Sequence, residues 1–346
     1  MITSLSQTNL VTRASIARLQ AELARAQQEL ASGRHSDIGR SYGARSVAVS
    51  SIRGNIADLQ AITDGNKIAS ARLSASGNAL ESIMSVARSV QQQLLNVGSG
   101  VADGRAIGEA GLAALNQTIS ICNTTFNGVY LFAGLNDGAK PLNEFRPGAA
   151  NGPSEQLRQA FQSQFGRLPG DQGNAAIAVS DMKSFLDTTF SQMFSSDQWK
   201  NIWSSASDVG AEFRISQTES LRYPAIGNSS ALRDLVQSLT MIAGLGLETL
   251  NADTRQLAID RAAATLGNAL AEFSAVVGQV GISQNAAEAA NQRLSSQHVQ
   301  LAARLDELES IDPAEVAIRI SSLSEQLQAS YQVTTKLAHL SLVNFI

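Results

Sequence analysis

Apolar residues near the start of the chain recur at steps of three and four: Ile16, Leu19, Leu23, Ala26 and Leu30. That rhythm lays them along one stripe of an α-helix. Val316, Ile320, Leu323 and Leu327 repeat it near the other end, and the later seam positions Ser330, Thr334 and Leu337 soften it. A helix cannot bury its own stripe, so each end needs another helix, and the other end of the same chain is the nearest candidate. No formally charged side chain precedes Arg13, and after Lys336 only His339 can titrate, so nothing repels a partner from these tips.

The same spacing runs inward. Ile52, Ile56 and Leu59 carry it into Leu73, Leu80, Ile83, Ala87, Val90 and Leu94, and Leu266, Leu270, Phe273, Val277 and Val280 carry it on the return. From Asp253 to about Glu309 no proline intervenes, which predicts a helix of roughly 80 Å at 1.5 Å per residue. Asp312 is placed to cap, and Pro313 to open, the last helix. A shorter helix carries Leu112, Leu115, Ile119 and Cys122 and is expected to stop at Asn127 and Gly128. Another begins at the Ser229–Ser230 cap.

The centre breaks the pattern. Five of the six prolines lie between Pro141 and Pro224, and both tryptophans and seven of the eleven phenylalanines fall between Asn136 and Asn228. Val129 to Phe132, Ala176 to Val179 and Glu212 to Ser216 read as short strands, with short helices near Gln156 to Phe165. The predicted fold is therefore mainly α: a long antiparallel helical bundle or coiled-coil rod formed by both chain ends, with a small mixed α/β central domain. Its parts are terminal helical segments at 1–40 and 311–346, a long-helix rod at 41–135 and 229–310, and the mixed outer domain at 136–228.

Composition narrows the functions open to such a chain. Charged residues are 16% of the 346 and the net charge is −4, a surface suited to close packing and without a basic patch that could neutralise nucleic-acid phosphates. No apolar run approaches the roughly 20 residues needed to cross a bilayer, so no membrane insertion is expected. Met1 to Val11 lacks the basic and apolar regions of a cleavable secretory signal. One cysteine excludes an internal disulfide framework, and Cys122 reads as core.

Candidate chemistry is sparse. His35, His298 and His339 stand far apart with no second ligand at metal spacing, so no metal site is expected. Asp306, Glu307 and Glu309 read as the solvated face of a helix rather than a catalytic carboxylate pair. The glycines at 98, 100 and 104, or at 244 and 246, lack the strand and lysine of a phosphate loop and read as hinges or close-packing points. No nucleophile has a partner set and no cofactor fingerprint occurs, so neither catalytic nor cofactor-binding residues are assigned and the chain is not expected to be an enzyme.

Four segments in order resemble one family. Glu29 to Gly39, ELASGRHSDIG, resembles the turn that ends the first helix of flagellins and hook-associated junction proteins; Asn66 to Leu80, NKIASARLSASGNAL, is similar to their second long helix. Phe126 to Gly134, FNGVYLFAG, is similar to the handover into their outer domain, and Ser324 to Ile346 to their C-terminal helix. Within that family the SGRHSDIG turn, the YLFAG segment and the apolar end at Phe345 and Ile346 resemble most the alphaproteobacterial proteins that join hook to filament.

The resemblance implies a structural subunit of the bacterial flagellum, extracellular and exported unfolded by the type III route without a cleavable signal. It implies polymerisation through the terminal segments, with self-association in a helical ring beside a neighbouring hook-associated protein and flagellin, and an export chaperone as a further partner. Ile16, Leu19, Leu23, Leu30, Val316, Ile320, Leu323, Leu327 and Leu337 would then carry subunit packing. Two other readings remain: flagellin forming the filament itself, and a secreted filament or adhesin that binds carbohydrate through Trp199 and Trp203.

Overall fold

The computed structural model describes residues 2–36, 46–97, 103–149, 151–224 and 226–343. Long helices dominate: α1 Ile2–Ser32, α2 Ser46–Val97, α3 Gly104–Cys122, α7 Ser230–Gly244, α8 Ala252–Glu309 and α9 Pro313–Val343. Between them stand the shorter α4 Pro153–Phe165, α5 Val179–Phe185 and α6 Ser196–Ile202, with a π-helical stretch at Leu186–Phe190 continuing α5. Among the described residues the β structure amounts to two antiparallel hairpins, β1 Thr125–Phe126 with β2 Val129–Tyr130, and β3 Glu212–Arg214 with β4 Ser220–Arg222. The chain is mainly α with small sheet portions, as its periodicity implies.

Contacts divide it into two units, Met1–Ala61 with Ser295–Ile346, and Ile62–Leu294. In the first, α1 packs on α9. Leu19, Ala26, Ile311, Val316 and Leu323 form a small buried core, flanked by the half-buried Leu23, Ile320 and Leu327. Full burial of a leucine or valine contributes roughly 1.5–3 kcal/mol, and helices of this length need such packing to hold in water. Asp312 caps α9 through its Oδ1, which accepts from the Ala314 amide at 2.8 Å, and Pro313 opens the helix as its fixed φ allows.

The second unit holds the main core. Cys122, Leu115 and Ile119 are buried on α3, whereas Leu112, expected on the same stripe, is 37% exposed and lines a surface cavity with Asn116, Lys140 and Phe145. The α3–α7 crossing is close because Gly111 carries no side chain: a Cβ there would lie 2.5 Å from Ile242 Cγ2. Gly244 is likewise pressed against Leu157, so it is a packing point, as is Gly104 against the backbone of Leu247 and Glu248. The turn expected at Gly98 and Gly100 lies outside the described residues.

Asn127 and Gly128 do not end a helix. α3 stops at Cys122, with Asn123 as its C-cap, and Asn127 (φ 51°) and Gly128 (φ 82°) form the two-residue turn of the β1–β2 hairpin. Two consecutive positive φ values match the right-handed twist of paired strands, and an Asn-Gly pair supplies them. Ala176 to Val179, expected as a strand, closes a 3₁₀ turn and opens α5. The helix near Gln156, the β3 strand and the Ser229 cap, whose Oγ accepts from the Leu232 amide, stand where the sequence places them.

Aromatic rings fill the centre of this unit. Phe161, Phe165, Phe185, Phe190 and Phe194 touch in succession and reach Trp203, which stacks on Trp199 and Phe145. Trp199 Nε1 donates to the Gly227 carbonyl at 3.1 Å.

Candidate subunit interface

The interface candidate is built on the α1–α9 pair. Gln20 Nε2 donates to the Tyr331 hydroxyl at 2.7 Å, and Glu29 lies 3.8 Å from Arg319, so the two helices run antiparallel. Their facing stripes divide the sequence-predicted packing residues into three groups. Leu19, Val316 and Leu323 are buried inside the pair; Ile16, Leu23, Ile320 and Leu327 are half-buried along its rim; Leu30 is 41% exposed. Leu337 lies on α9 beyond Lys336, the last residue whose side chain is described.

A second apolar set was not legible as a stripe. Leu10 and Val11 on α1, and Ile318 and Val333 on α9, are each more than half exposed. Ile318 stands two positions from Val316, which at 100° per residue puts it on the opposite side of α9 from the buried face. Such side chains have nothing to cover them within this unit, and a partner helix would remove them from water. The sequence signal was present in the residue types but not in their spacing, because they fall outside the three-four rhythm.

A charged corner holds the pair in register. Gly33 takes φ +70°, ending α1 with its amide on the Glu29 carbonyl at 2.8 Å. The chain then bridges to the α8–α9 joint: Arg34 pairs with Ser310, the His35 amide donates to the Glu309 carbonyl at 3.1 Å, and the Ile311 amide donates to the Gly33 carbonyl at 3.1 Å. Beneath this bridge the Glu309 side chain is 3% exposed and is met by Arg53 and Arg34. Its reading as part of a solvated acidic face is therefore corrected; Asp306 alone of the pair stays in water, at 66%. The buried Glu29 carboxylate accepts from the Ser36 amide and hydroxyl at 3.0 and 3.1 Å. The remainder of the turn, from residue 37, lies outside the described residues.

No catalytic geometry accompanies this corner. Among the described residues no group of three or more His, Cys, Asp or Glu could hold a metal ion, and no helix is long and apolar enough to cross a membrane. The tryptophans offer no sugar platform, since Trp199 and Trp203 are fully buried, which removes the basis of the carbohydrate-binding reading.

Comparison with known proteins places this architecture. The bacterial flagellin N-terminal helical region matches residues 4–137, and the bacterial flagellin C-terminal helical region matches residues 263–346. A search of curated proteins found no match. Among solved structures, a chain from Vibrio parahaemolyticus described as a flagellar hook-associated protein is similar in fold, with 12% identity and a TM-score of 0.50 over 78% of this chain and 99% of that one. Bacillus cereus FlgL has 14% identity and a TM-score of 0.46 over 75% of this chain and 98% of that one. The two helical-region matches span more than half of the residues and include α1 and α9, the pair from which the interface is built; the chain belongs to the bacterial flagellin family, a non-enzymatic structural subunit of the flagellum.

Proposed function

We propose that this subunit joins hook to filament, polymerising through its terminal helices after type III export. The observation that carries the reading is the α1–α9 pair, which buries one stripe and leaves Leu10, Val11, Leu30, Ile318 and Val333 uncovered on its outer faces. Each is a side chain whose burial by a neighbouring copy contributes on the order of 1–3 kcal/mol, so a ring of copies gains what one molecule lacks. Ile16, Leu23, Ile320, Leu327 and Leu337 sit along or beyond the same rim and complete the packing in this account, while Leu19, Val316 and Leu323 shape the pair itself. The likeness to a chain described as hook-associated, together with the SGRHSDIG and YLFAG segments, favours the junction over the filament.

In this reading the terminal segments at 1–40 and 311–346 polymerise, the long helices at 41–135 and 229–310 form the rod, and 136–228 faces outward. The uncharged start before Arg13 serves as an export signal that stays on the chain, received by a flagellar chaperone. The neighbours are a hook-associated protein on one side and flagellin on the other. Imaging flagella from a strain lacking this gene tests the assignment. Intact hooks without filaments, with flagellin shed into the medium, is the junction result; missing filaments with no flagellin shed makes this the filament protein instead.

A further inference from the structure

Arg72, on α2 within the second unit, is a cation held in place without a counter-charge. Its Cζ lies 4.9 Å from the centre of the Tyr223 ring, and its Nη2 donates to the Tyr130 carbonyl at 3.3 Å. Tyr223 is fixed in turn: its hydroxyl donates to the Arg72 carbonyl at 3.2 Å and contacts the Ser76 hydroxyl. The guanidinium is thus positioned by the residue ending β2 and by the one following β4. Its Nε is buried with no hydrogen-bond partner, and no carboxylate among the described residues pairs with it. Arg53, Arg105, Arg158, Arg261, Arg293 and Arg319 each have one.

An arginine keeps its charge at any physiological pH, and a part-buried guanidinium resting on a ring and one carbonyl is only partly compensated for lost water. What would complete it is a carboxylate, whose two oxygens match the guanidinium fork. Ile68, one helical turn earlier and on the same face, is 60% exposed, so the cation sits beside an uncovered apolar side chain. The two together have the make-up of a contact: an apolar anchor next to an ordered charge.

We infer that Arg72 and Ile68 form a docking point for a second copy of this chain, which supplies the carboxylate. The inference rests on the self-assembly reading above. The chain itself offers the complementary charge: it carries 30 acidic against 26 basic residues, and the exposed Asp58, Glu81 and Glu288 form no ion pair among the described residues.

The test places a photo-crosslinking phenylalanine analogue at Ile68 in the full chain, expressed in the source bacterium, and irradiates isolated flagella. The expected product is a crosslinked pair of this chain whose captured peptide contains Asp or Glu. Arg72→Glu should lower the yield about tenfold and Arg72→Lys much less, with the melting temperature of the purified protein unchanged in both, since a lost charge-assisted contact of ~1.4 kcal/mol is a factor of ten. No crosslink, capture of a different protein only, or a yield indifferent to Arg72→Glu overturns the inference. A fall in melting temperature with unchanged yield overturns it too, by making Arg72 a packing residue. If the chain is absent from the flagella altogether, it is the assembly reading that fails.

Discussion

Arg53 donates from both Nε and Nη2 to one oxygen of Glu309, at 2.9 and 2.6 Å, while Arg34 lies 3.3 Å from the other. The carboxylate is nearly sealed from water and the two guanidiniums are about half exposed. The arrangement is asymmetric, and so are the consequences of breaking it.

Arg53→Ala leaves the Glu309 carboxylate buried beside a single cation at longer range, whereas Glu309→Gln leaves two arginines free to turn toward solvent. Removing one partner of a buried pair costs about 3 kcal/mol, and the half-exposed side of the pair costs less. Arg53→Ala is therefore expected to reduce hydrogen-exchange protection in 29–36 and 309–323 more than Glu309→Gln does. The reverse order would mean that the carboxylate is not buried in solution.

Two glycines on helices should respond with opposite sign. Gly111→Ala forces a methyl into Ile242 at the α3–α7 crossing and is expected to destabilise by about 1–3 kcal/mol. Gly54→Ala on α2 meets nothing within 4 Å and is expected to stabilise by about 0.5–1 kcal/mol, through lower chain entropy in the unfolded state. Thermal unfolding of the two variants separates the cases.

Burial holds the Cys122 thiol up at about 12, against an ordinary value near 9. The native protein should leave a thiol reagent unconsumed at pH 8 and react with one equivalent on unfolding. The folded thiol keeps its proton where the unfolded one loses it, so this group lowers stability as pH rises from 9 toward 12. A fast native reaction would show that α3 is not packed as described.

Glu155, in the first turn of α4, is held down to about 2 by hydrogen bonds from Arg158 and Gln159. With the folded value below the ordinary 4.5, its contribution is present above 4.5 and lost as pH falls through about 2. Carbon-detected NMR titration should find a midpoint near 2 that returns toward the ordinary range in Arg158→Ala.

Where sequence reasoning succeeded, one dominant local rule governed the element. The three-four rhythm of Ile16 to Leu30 and Val316 to Leu327 had only one structural solution, and Asp312–Pro313 and Ser229 could only be caps. It failed where two rules competed. Asn127–Gly128 satisfies both a helix stop and a hairpin turn, and pairing of Phe126 with Val129 decided for the hairpin. Ala176 to Val179 has strand-like residues in a segment too short to pair. Glu309 belongs to a charged run that is solvated everywhere else, and only the distant Arg53 and the bridge at Arg34 make its burial tolerable. The outward set at the interface, Ile318 above all, carries no periodicity because no partner within the chain selects its spacing.

The central claim is that the outer apolar faces of α1 and α9 are closed by neighbouring copies. The measurement is the fate of a chain carrying Leu30→Glu, Ile318→Glu and Val333→Glu, all exposed positions that leave the α1–α9 core untouched. The account predicts that this protein is exported and recovered folded from the medium but is missing from sheared flagella. Incorporation at the wild-type level would contradict it.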